Sequence, residues 1–442
     1  MFGFRALGRT HVPHRKNTAE MTAVRVPAPS EVLLPMAQHI GAPATPIVKV
    51  GDEVLVGQKV AEAEGKVSSP IYSSVSGKVT KIEEYLTPQG RKVAAIRIAS
   101  DGQMTEAAFT PPTVETLDDL VLAARESGVV GLGGAGFPTA VKLEAIGRGE
   151  INTVVFNGAE CEPYITSDTR TMTDGIENIV AGVALLRRFL PEAEFIFGVE
   201  ENKKACIGLL CEAFLAEDRV HVTNLPALYP QGAEKVLIYN TTQRIVPEGG
   251  LPSDVGVLVM NVSTLAALAV YVNTGRPLVE RTVTVDGTAI RTPQNLTVPI
   301  GTSIKYLIDS VGGAEDIGKV LYGGLMMGIA VSNLDEPVIK TTGAITVLRE
   351  ADSHPAVATP CIHCGRCVTA CPLALNPVAF AKALNIASKE ERVARLEAQK
   401  VNLCMECGCC SYVCPAKRPL VQNNRLGKAA LREYQAHVKT LK

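Results

Sequence analysis

Apolar and polar side chains alternate in period two through residues 26–100, a stretch rich in Val and Gly with turn signals at Gly51-Asp52, Gly57, Gly65 and Gly77. Such alternation marks strands with one buried face, so this segment is predicted to be a small all-β domain. Ser100-Asp101-Gly102 and Pro111-Pro112 punctuate 101–113 as a linker. From Val114 the period changes. Residues 117–127 and 174–190 have helical spacing, whereas 153–156, 194–197 and 255–260 are short apolar runs of the kind that form buried strands. Alternating helices and buried strands predict an α/β domain with parallel strands over 114–275. The β pattern returns over 277–350, with strands at 281–285, near Val320 and at 345–348, an Asp286-Gly287 turn and a helix near 302–311. The segment 355–442 reads as helical, with Asn376 as cap and Pro377 in the first position of a helix over 378–399. Residues 1–25 form a basic arm carrying His11, His14, Arg15 and Lys16.

The 442 residues carry 44 basic and 45 acidic side chains, and a net charge of -1 excludes a general nucleic-acid surface. The longest charge-free stretch, 255–275, is interrupted by Asn261, Ser263, Thr264, Asn273 and Thr274, so it reads as a buried strand followed by a helix rather than a membrane span. Residues 1–10 hold Arg5 and Arg9 and no apolar region of signal-peptide type. The expectation is a soluble or peripheral chain. The tail from Lys417 is basic, which suits either a solvated helix face or a surface turned to anionic lipid.

Cysteine changes the picture most. Nine of the twelve lie in 361–414, a clustering that favours metal ligation over disulfides. They form a repeat. Cys361, Cys364, Cys367 and Cys371-Pro372 recur as Cys404, Cys407, Cys410 and Cys414-Pro415, each copy C-x2-C-x2-C-x3-C-P. Zinc sites use two-plus-two spacing with a long gap. In two-cluster ferredoxins three thiolates on a tight loop hold one [4Fe–4S] cubane, and the fourth reaches the other. The pattern therefore predicts Cys361, Cys364, Cys367 and Cys414 on one cluster, and Cys404, Cys407, Cys410 and Cys371 on a second. Cys409 breaks the register and is expected to be a non-ligand thiol. Cys206 and Cys211, five apart and off a common helix face, are expected to be buried thiols.

Gly131-Leu132-Gly133-Gly134-Ala135-Gly136-Phe137-Pro138-Thr139, followed by Lys142, contains a formal G-x-G-x-x-G. Only Val129-Val130 precedes it and Pro138 interrupts any helix running on from it, so it lacks the strand-turn-helix frame of a dinucleotide fingerprint. It reads either as a tight loop or as a nest of backbone N–H groups on a phosphate, with Lys142 neutralising charge and Phe137 offering a flat face. Asn157, Glu160 and Glu162 follow one predicted strand, Glu200 and Glu201 a second, and Asn261 a third, so three loops face one edge of the sheet. The carboxylates are either solvated surface charge or acceptors for a flavin ring or ribose.

These motifs carry a resemblance. Gly133 to Thr139 with Lys142, Asn157 to Pro163, and Asn261-Val262-Ser263-Thr264-Leu265 resemble the FMN- and NADH-binding subunit of respiratory complex I. The whole of 10–420 is similar to the RnfC family, the NADH-side subunits of membrane-bound ferredoxin:NAD oxidoreductases; Tyr229-Pro230-Gln231-Gly232, Pro247-Glu248-Gly249-Gly250 and the double cysteine repeat match its style. The resemblance implies a lipoyl-like barrel-sandwich hybrid, an α/β flavin domain of complex I type, a β-grasp (SLBB) domain and a helical domain with two [4Fe–4S] clusters. It implies FMN lined by Gly131, Gly133, Gly136, Lys142, Asn157, Glu160 and Asn261, and NADH contacted by Phe137, Glu162, Glu200 and Glu201. Complex I subunits carry Asp where this chain has Ala159. No catalytic acid or base is expected, because hydride passes directly between nicotinamide and flavin. The implied partners are other subunits of the complex, membrane-integral and ferredoxin-type, with the chain on the cytoplasmic face of the membrane. Two alternatives stand beside this: a soluble NADH-dependent hydrogenase or bifurcating subunit, and a flavin-free wiring scaffold. Lys66 lies where carrier domains hold a modified lysine, but its Gly65-Lys66-Val67 context predicts none.

Overall fold

The computed structural model describes residues 8–149 and 151–440. Residues 26–100 fold into two small antiparallel sheets. One orders strands Glu31–Pro35, Lys92–Ser100, Gly77–Leu86 and Glu53–Val54; the other orders Thr45–Pro46, Lys59–Glu62 and Ile71–Tyr72. Val32, Leu34, Val60, Ile71, Val79, Ile96 and Ile98 face inward between them. Lys66 is exposed and pairs with Glu144 at 2.8 Å.

The next unit is a four-stranded sheet, ordered Val220–Leu225, Glu194–Glu200, Thr153–Gly158 and Val257–Asn261, with every pairing parallel. All four strands therefore end at one edge, the place where open α/β sheets collect ligand loops. Phe156, Phe195 and Phe197 are fully buried in the core beneath it. The 220–225 strand is absent from the hydrophobic pattern for a physical reason: it is an edge strand, and only Val220 and Leu225 are buried. Helix Val262–Thr274 packs closely on helix Ile176–Arg187; a Cβ at Gly182 would sit 2.6 Å from the Leu265 side chain. The charge-free stretch is thus strand plus helix. Among the described residues, no helix is long and apolar enough to cross a membrane.

Residues 277–350 contribute five strands of a six-stranded sheet. The sixth is Val24–Arg25 of the N-terminal arm, paired in parallel with Gln294–Pro299. Val24 and Arg25, at the end of the basic arm, are therefore an edge of this domain. Asp286 ends the strand Glu280–Asp286 in a buried position. Its Oδ1 accepts from Gly287 N and Asn17 Nδ2, while Oδ2 has no partner among the described residues. Burial pushes its pKa up to about 6. A raised carboxylate makes the folded state bind more protons, so stability falls as pH rises from about 4 to 6. Asp286→Asn is expected to stabilise by about 1 kcal/mol at pH 8, the gain vanishing below pH 4. Thermal unfolding at the two pH values checks this; an equal effect at both would contradict it.

The C-terminal segment is helical, but the helix predicted over 378–399 is two, Pro377–Ala383 and Lys389–Ala398. Ser388 restarts the second by accepting from Glu391 N at 3.2 Å, while Asn376 caps the first as expected. Cys206 is buried, but Cys211 is exposed. They lie on different faces of the helix Lys204–Ala213, so only one reaches the core.

Candidate functional site

The Gly-rich loop lies over the edge where the strands end. Gly131 N donates to Phe137 O at 2.9 Å, closing the loop on itself, and a single bridge joins Val130 to Pro138. Leu132 N donates to Thr264 Oγ1 at 2.9 Å, which ties the loop to the first turn of helix Val262–Thr274. A side chain at Gly133 would meet Asn261 Nδ2 at 2.6 Å, so glycine is required for the loop to lie on Asn261. Asn261 caps that helix, accepting from Ser263 N and Thr264 N. Gly133, Gly134 and Ala135 are exposed at the crest and Phe137 is half-buried. Lys142 reaches inward to Val259 O at 3.0 Å and Glu234 at 3.3 Å.

The loop after Thr153–Gly158 is held from several sides. Asn157 Oδ1 accepts from Ala159 N and its Nδ2 donates to Gly232 O. The Glu160 carboxylate accepts from Asp168 N at 2.6 Å and from Thr169 Oγ1 at 2.7 Å, capping helix Ser167–Asp174. Burial raises its pKa, opposed by Lys16 and Lys203. Glu162 accepts from the amides of Met326 and Met327, both at 2.9 Å; burial pushes it up and those amides pull it down. Met326 packs half-buried against the apolar cluster around Tyr229, whereas Met327 is exposed. Glu200, at the end of its strand, is fully buried. One oxygen pairs with Lys203 at 3.2 Å and the other has no partner among the described residues. Glu201 is exposed and accepts from Ala227 N at 3.3 Å.

Sequence reasoning missed four contributors. Lys16, from the basic arm, donates to the carbonyls of Glu160, Glu162 and Ile165 at 2.6 to 2.8 Å. Its stem touches solvent but its ammonium is enclosed, and burial followed by Lys203 pushes it down to about 8, against Glu160 and Glu200. Lys203 supplies the second buried cation. Asp168 accepts from Asn261 Nδ2 and Ser263 Oγ. Arg281 comes from the following β domain and is buried; it donates to Leu132 O at 3.3 Å, while its Nε has no partner among the described residues. Of the four, only Lys203 carried a local signal, standing three residues after Glu200.

The cysteines gather as two sets. Cys361, Cys364, Cys367 and Cys414 line one cavity of about 270 Å³, with His363, Lys382 and Arg418 at its rim. Cys371, Cys404, Cys407 and Cys410 line a second, narrower one, which Cys409 also lines. The fourth cysteine of each repeat therefore stands with the other repeat's first three. Among the described residues no three His, Cys, Asp or Glu side chains converge on a single ion; the thiols ring a space instead. Cys409 is buried beside the second set, its Sγ 3.8 Å from Tyr229 O. Its thiol donates to Cys407, holding Cys407 down to about 7. Val12, Tyr229, Ala370, Cys407 and Cys409 share one apolar cluster, so the second set abuts loops of the sheet edge.

Comparison with known families agrees segment by segment. Residues 5–103 match the RnfC barrel sandwich hybrid domain, 124–270 the Nuo51 FMN-binding domain, 282–330 the SLBB domain and 357–418 the 4Fe-4S dicluster domain. The chain is 44% identical over 394 residues to a subunit of the Na+-translocating ferredoxin:NAD+ oxidoreductase complex of Acetobacterium woodii, covering 87% of each chain. It is 42% identical over 368 residues to a subunit of the proton-translocating ferredoxin:NAD+ oxidoreductase complex of Clostridium ljungdahlii, covering 82% of this chain and 80% of that one. The chain belongs to the RnfC family. An NAD+-reducing [NiFe]-hydrogenase structure matches 73% of the chain and 64% of its own with a TM-score of 0.53 at 19% identity, which shows a shared fold.

The residues of this RnfC chain fit the groups its domains imply. For FMN, a Cβ at Gly134, where φ is 155°, would meet nothing within 4 Å, so the crest opens onto free space. Among the described residues the buried Arg281 cation beneath the loop has no carboxylate hydrogen bond, an environment that suits an anionic group. For the clusters, eight thiols in two sets of four are the donor set that iron–sulfur cubanes take.

Proposed function

We propose that the chain exchanges hydride between NAD(H) and FMN at the sheet edge and passes electrons singly through two [4Fe–4S] clusters to partners in an ion-translocating ferredoxin:NAD+ oxidoreductase complex. Bound FMN supplies exchange of electrons in pairs with nicotinamide and singly with the clusters. Gly131, Gly133 and Gly136 form the cradle, with Lys142, Asn157 and Asn261 lining it. Glu160 acts by fixing the loop, since both its oxygens are engaged by helix Ser167–Asp174. Phe137, Glu162, Glu200 and Glu201 face the nicotinamide side; of the last two, Glu201 is exposed, whereas Glu200 is fully buried against Lys203.

The observation that carries the reading is the packing of Cys407 and Cys409 against Tyr229, a loop residue of the flavin domain. It supports an order in which the Cys371, Cys404, Cys407 and Cys410 cluster exchanges electrons with the flavin. The Cys361, Cys364, Cys367 and Cys414 cluster then faces the partner. Cys364 is exposed, and Lys382 and Arg418 beside it suit an acidic, ferredoxin-type subunit. Ion movement belongs to membrane-integral partners, with this chain peripheral on the cytoplasmic face.

The test is reconstitution with iron and FMN, followed by anaerobic NADH titration. Flavin absorbance should bleach and the clusters should then be reduced; intact clusters with no bleaching would refute the nicotinamide site. Lys142→Ala should weaken FMN retention about tenfold. Unchanged flavin content in that variant would remove Lys142 from the cradle.

A further inference from the structure

The Gly-rich loop has few bonds of its own, and its far end is packed against two other domains. Ile40 N, from the barrel-sandwich domain, donates to Gly136 O at 3.1 Å. A Cβ at Gly136, whose φ is 70°, would lie 2.7 Å from Thr341 Cγ2 and 3.3 Å from His39 Cα. Thr341 belongs to the β-grasp domain, so both flanking domains touch the loop backbone at one residue.

Beside Thr341 stands Lys340, which is 1% exposed. Its ammonium donates to Ser69 Oγ at 3.0 Å, Pro70 O at 2.6 Å and Gly128 O at 2.7 Å. Its backbone N donates to Gln38 Oε1 at 3.1 Å. Ser69 N in turn donates to His39 Nε2 at 3.1 Å. Among the described residues no carboxylate pairs with this ammonium; burial alone pushes it down to about 7. An enclosed cation without a counter-ion is costly unless every donor is used, and here all three are. Those three acceptors come from the barrel-sandwich domain and from Gly128, three residues before the loop begins. One end of the loop is thus tied by Lys340, and the other by Thr341 and Ile40.

We propose that Lys340, Thr341 and the 38–40 segment form an interdomain clamp that sets how tightly the Gly-rich loop holds FMN. The inference rests on the reading of this loop as the flavin cradle. Lys340 is a positioning residue: it touches neither the crest nor the strand ends, and it acts through Gly128. The physical effect is preorganisation, because a loop already held in its bound shape loses less freedom when the ligand arrives. This gives the two flanking β domains a task beyond packing.

The experiment measures FMN dissociation constants by flavin fluorescence on the full, iron-reconstituted chain. Lys340→Met and Thr341→Gly should each bind FMN about tenfold more weakly. Thr341→Val, which loses the hydroxyl but keeps the methyl against Gly136, should stay within about twofold of the parent chain. Iron content and the paramagnetic resonance of both clusters should be unchanged throughout. Parent-like FMN binding in Lys340→Met and Thr341→Gly would overturn the clamp, as would loss of FMN that occurs only together with loss of iron. If Lys340→Met does not fold, the comparison of Thr341→Gly with Thr341→Val decides. A parent chain that binds no FMN would sink the cradle reading, and the clamp with it, a result distinct from variants that bind as well as the parent.

Discussion

Replacing Cys371 by Ala is expected to abolish the cluster of the second cysteine repeat while sparing that of the first, although Cys371 belongs to the first repeat in sequence. The reason is the proposed exchange of fourth ligands. Cys371 lines the same narrow cavity as Cys404, Cys407 and Cys410, while the larger cavity is completed by Cys414. Its sulfur is oriented by Leu375 N at 3.3 Å, and Cys404 on the far side accepts from Asn424 Nδ2 at 3.4 Å. A cubane that loses one of four thiolates loses an iron or the whole cluster, so iron content should fall to roughly half. NADH should still bleach the flavin in this variant. On the proposed order of carriers it should no longer reduce the surviving cluster at a comparable rate. Resonance spectra and iron assay together decide the matter: disappearance of the first-repeat signal instead would show that the ligands are not exchanged. Cys414→Ala is the mirror case, in which the flavin-side cluster should remain reducible by NADH.

How far the fold could be read from the chain depends on where its information is local. Period-two alternation and short Val-rich runs mark strands because burial acts on neighbouring residues, and 153–156, 194–197 and most of 255–260 are strand in the structure. The 220–225 strand escaped because it runs along a sheet edge, where His221 and Asn224 are exposed and only Val220 and Leu225 are fully buried. The break at Leu384 to Ser388 escaped because the cap that restarts the helix is a single serine inside an otherwise helical run. The cysteine repeat was legible as two sets of four, since ligand spacing is dictated by the cluster and not by the rest of the fold. The flavin site was legible only in part. Its loops carry recognisable residues, but the groups that hold them arrive from far along the chain. Arg281 reaches Leu132 across 149 positions, and Lys340 reaches Gly128 across 212. Charge in sequence also misleads: Lys16 sits in a run that looks like a solvated basic arm, yet its ammonium is enclosed by three carbonyls.

That lysine is the basis of the other large effect. Lys16→Met should destabilise the flavin domain by about 3 kcal/mol, since a charged donor to three carbonyls is removed and the acceptors are left without it. The three carbonyls, of Glu160, Glu162 and Ile165, belong to one turn, and Glu160 and Tyr164 in that turn hold positive φ of 51° and 68°. A turn of that shape relaxes unless its surroundings hold it. The other arm contacts do not replace the lysine. Tyr164 N donates to His14 O at 2.9 Å and Arg15 reaches the Tyr164 hydroxyl at 2.9 Å, both of which depend on the arm lying in the same groove. Removing the cation also strips Glu160 and Glu200 of a positive neighbour, leaving Lys203 as their main compensation. The expected signs are earlier thermal loss of FMN, protease cleavage within residues 8–22, and a lowered unfolding midpoint, with both clusters still formed at low temperature. A midpoint within about 1 °C of the parent would mean that the turn holds its own shape and that the arm merely rests on it.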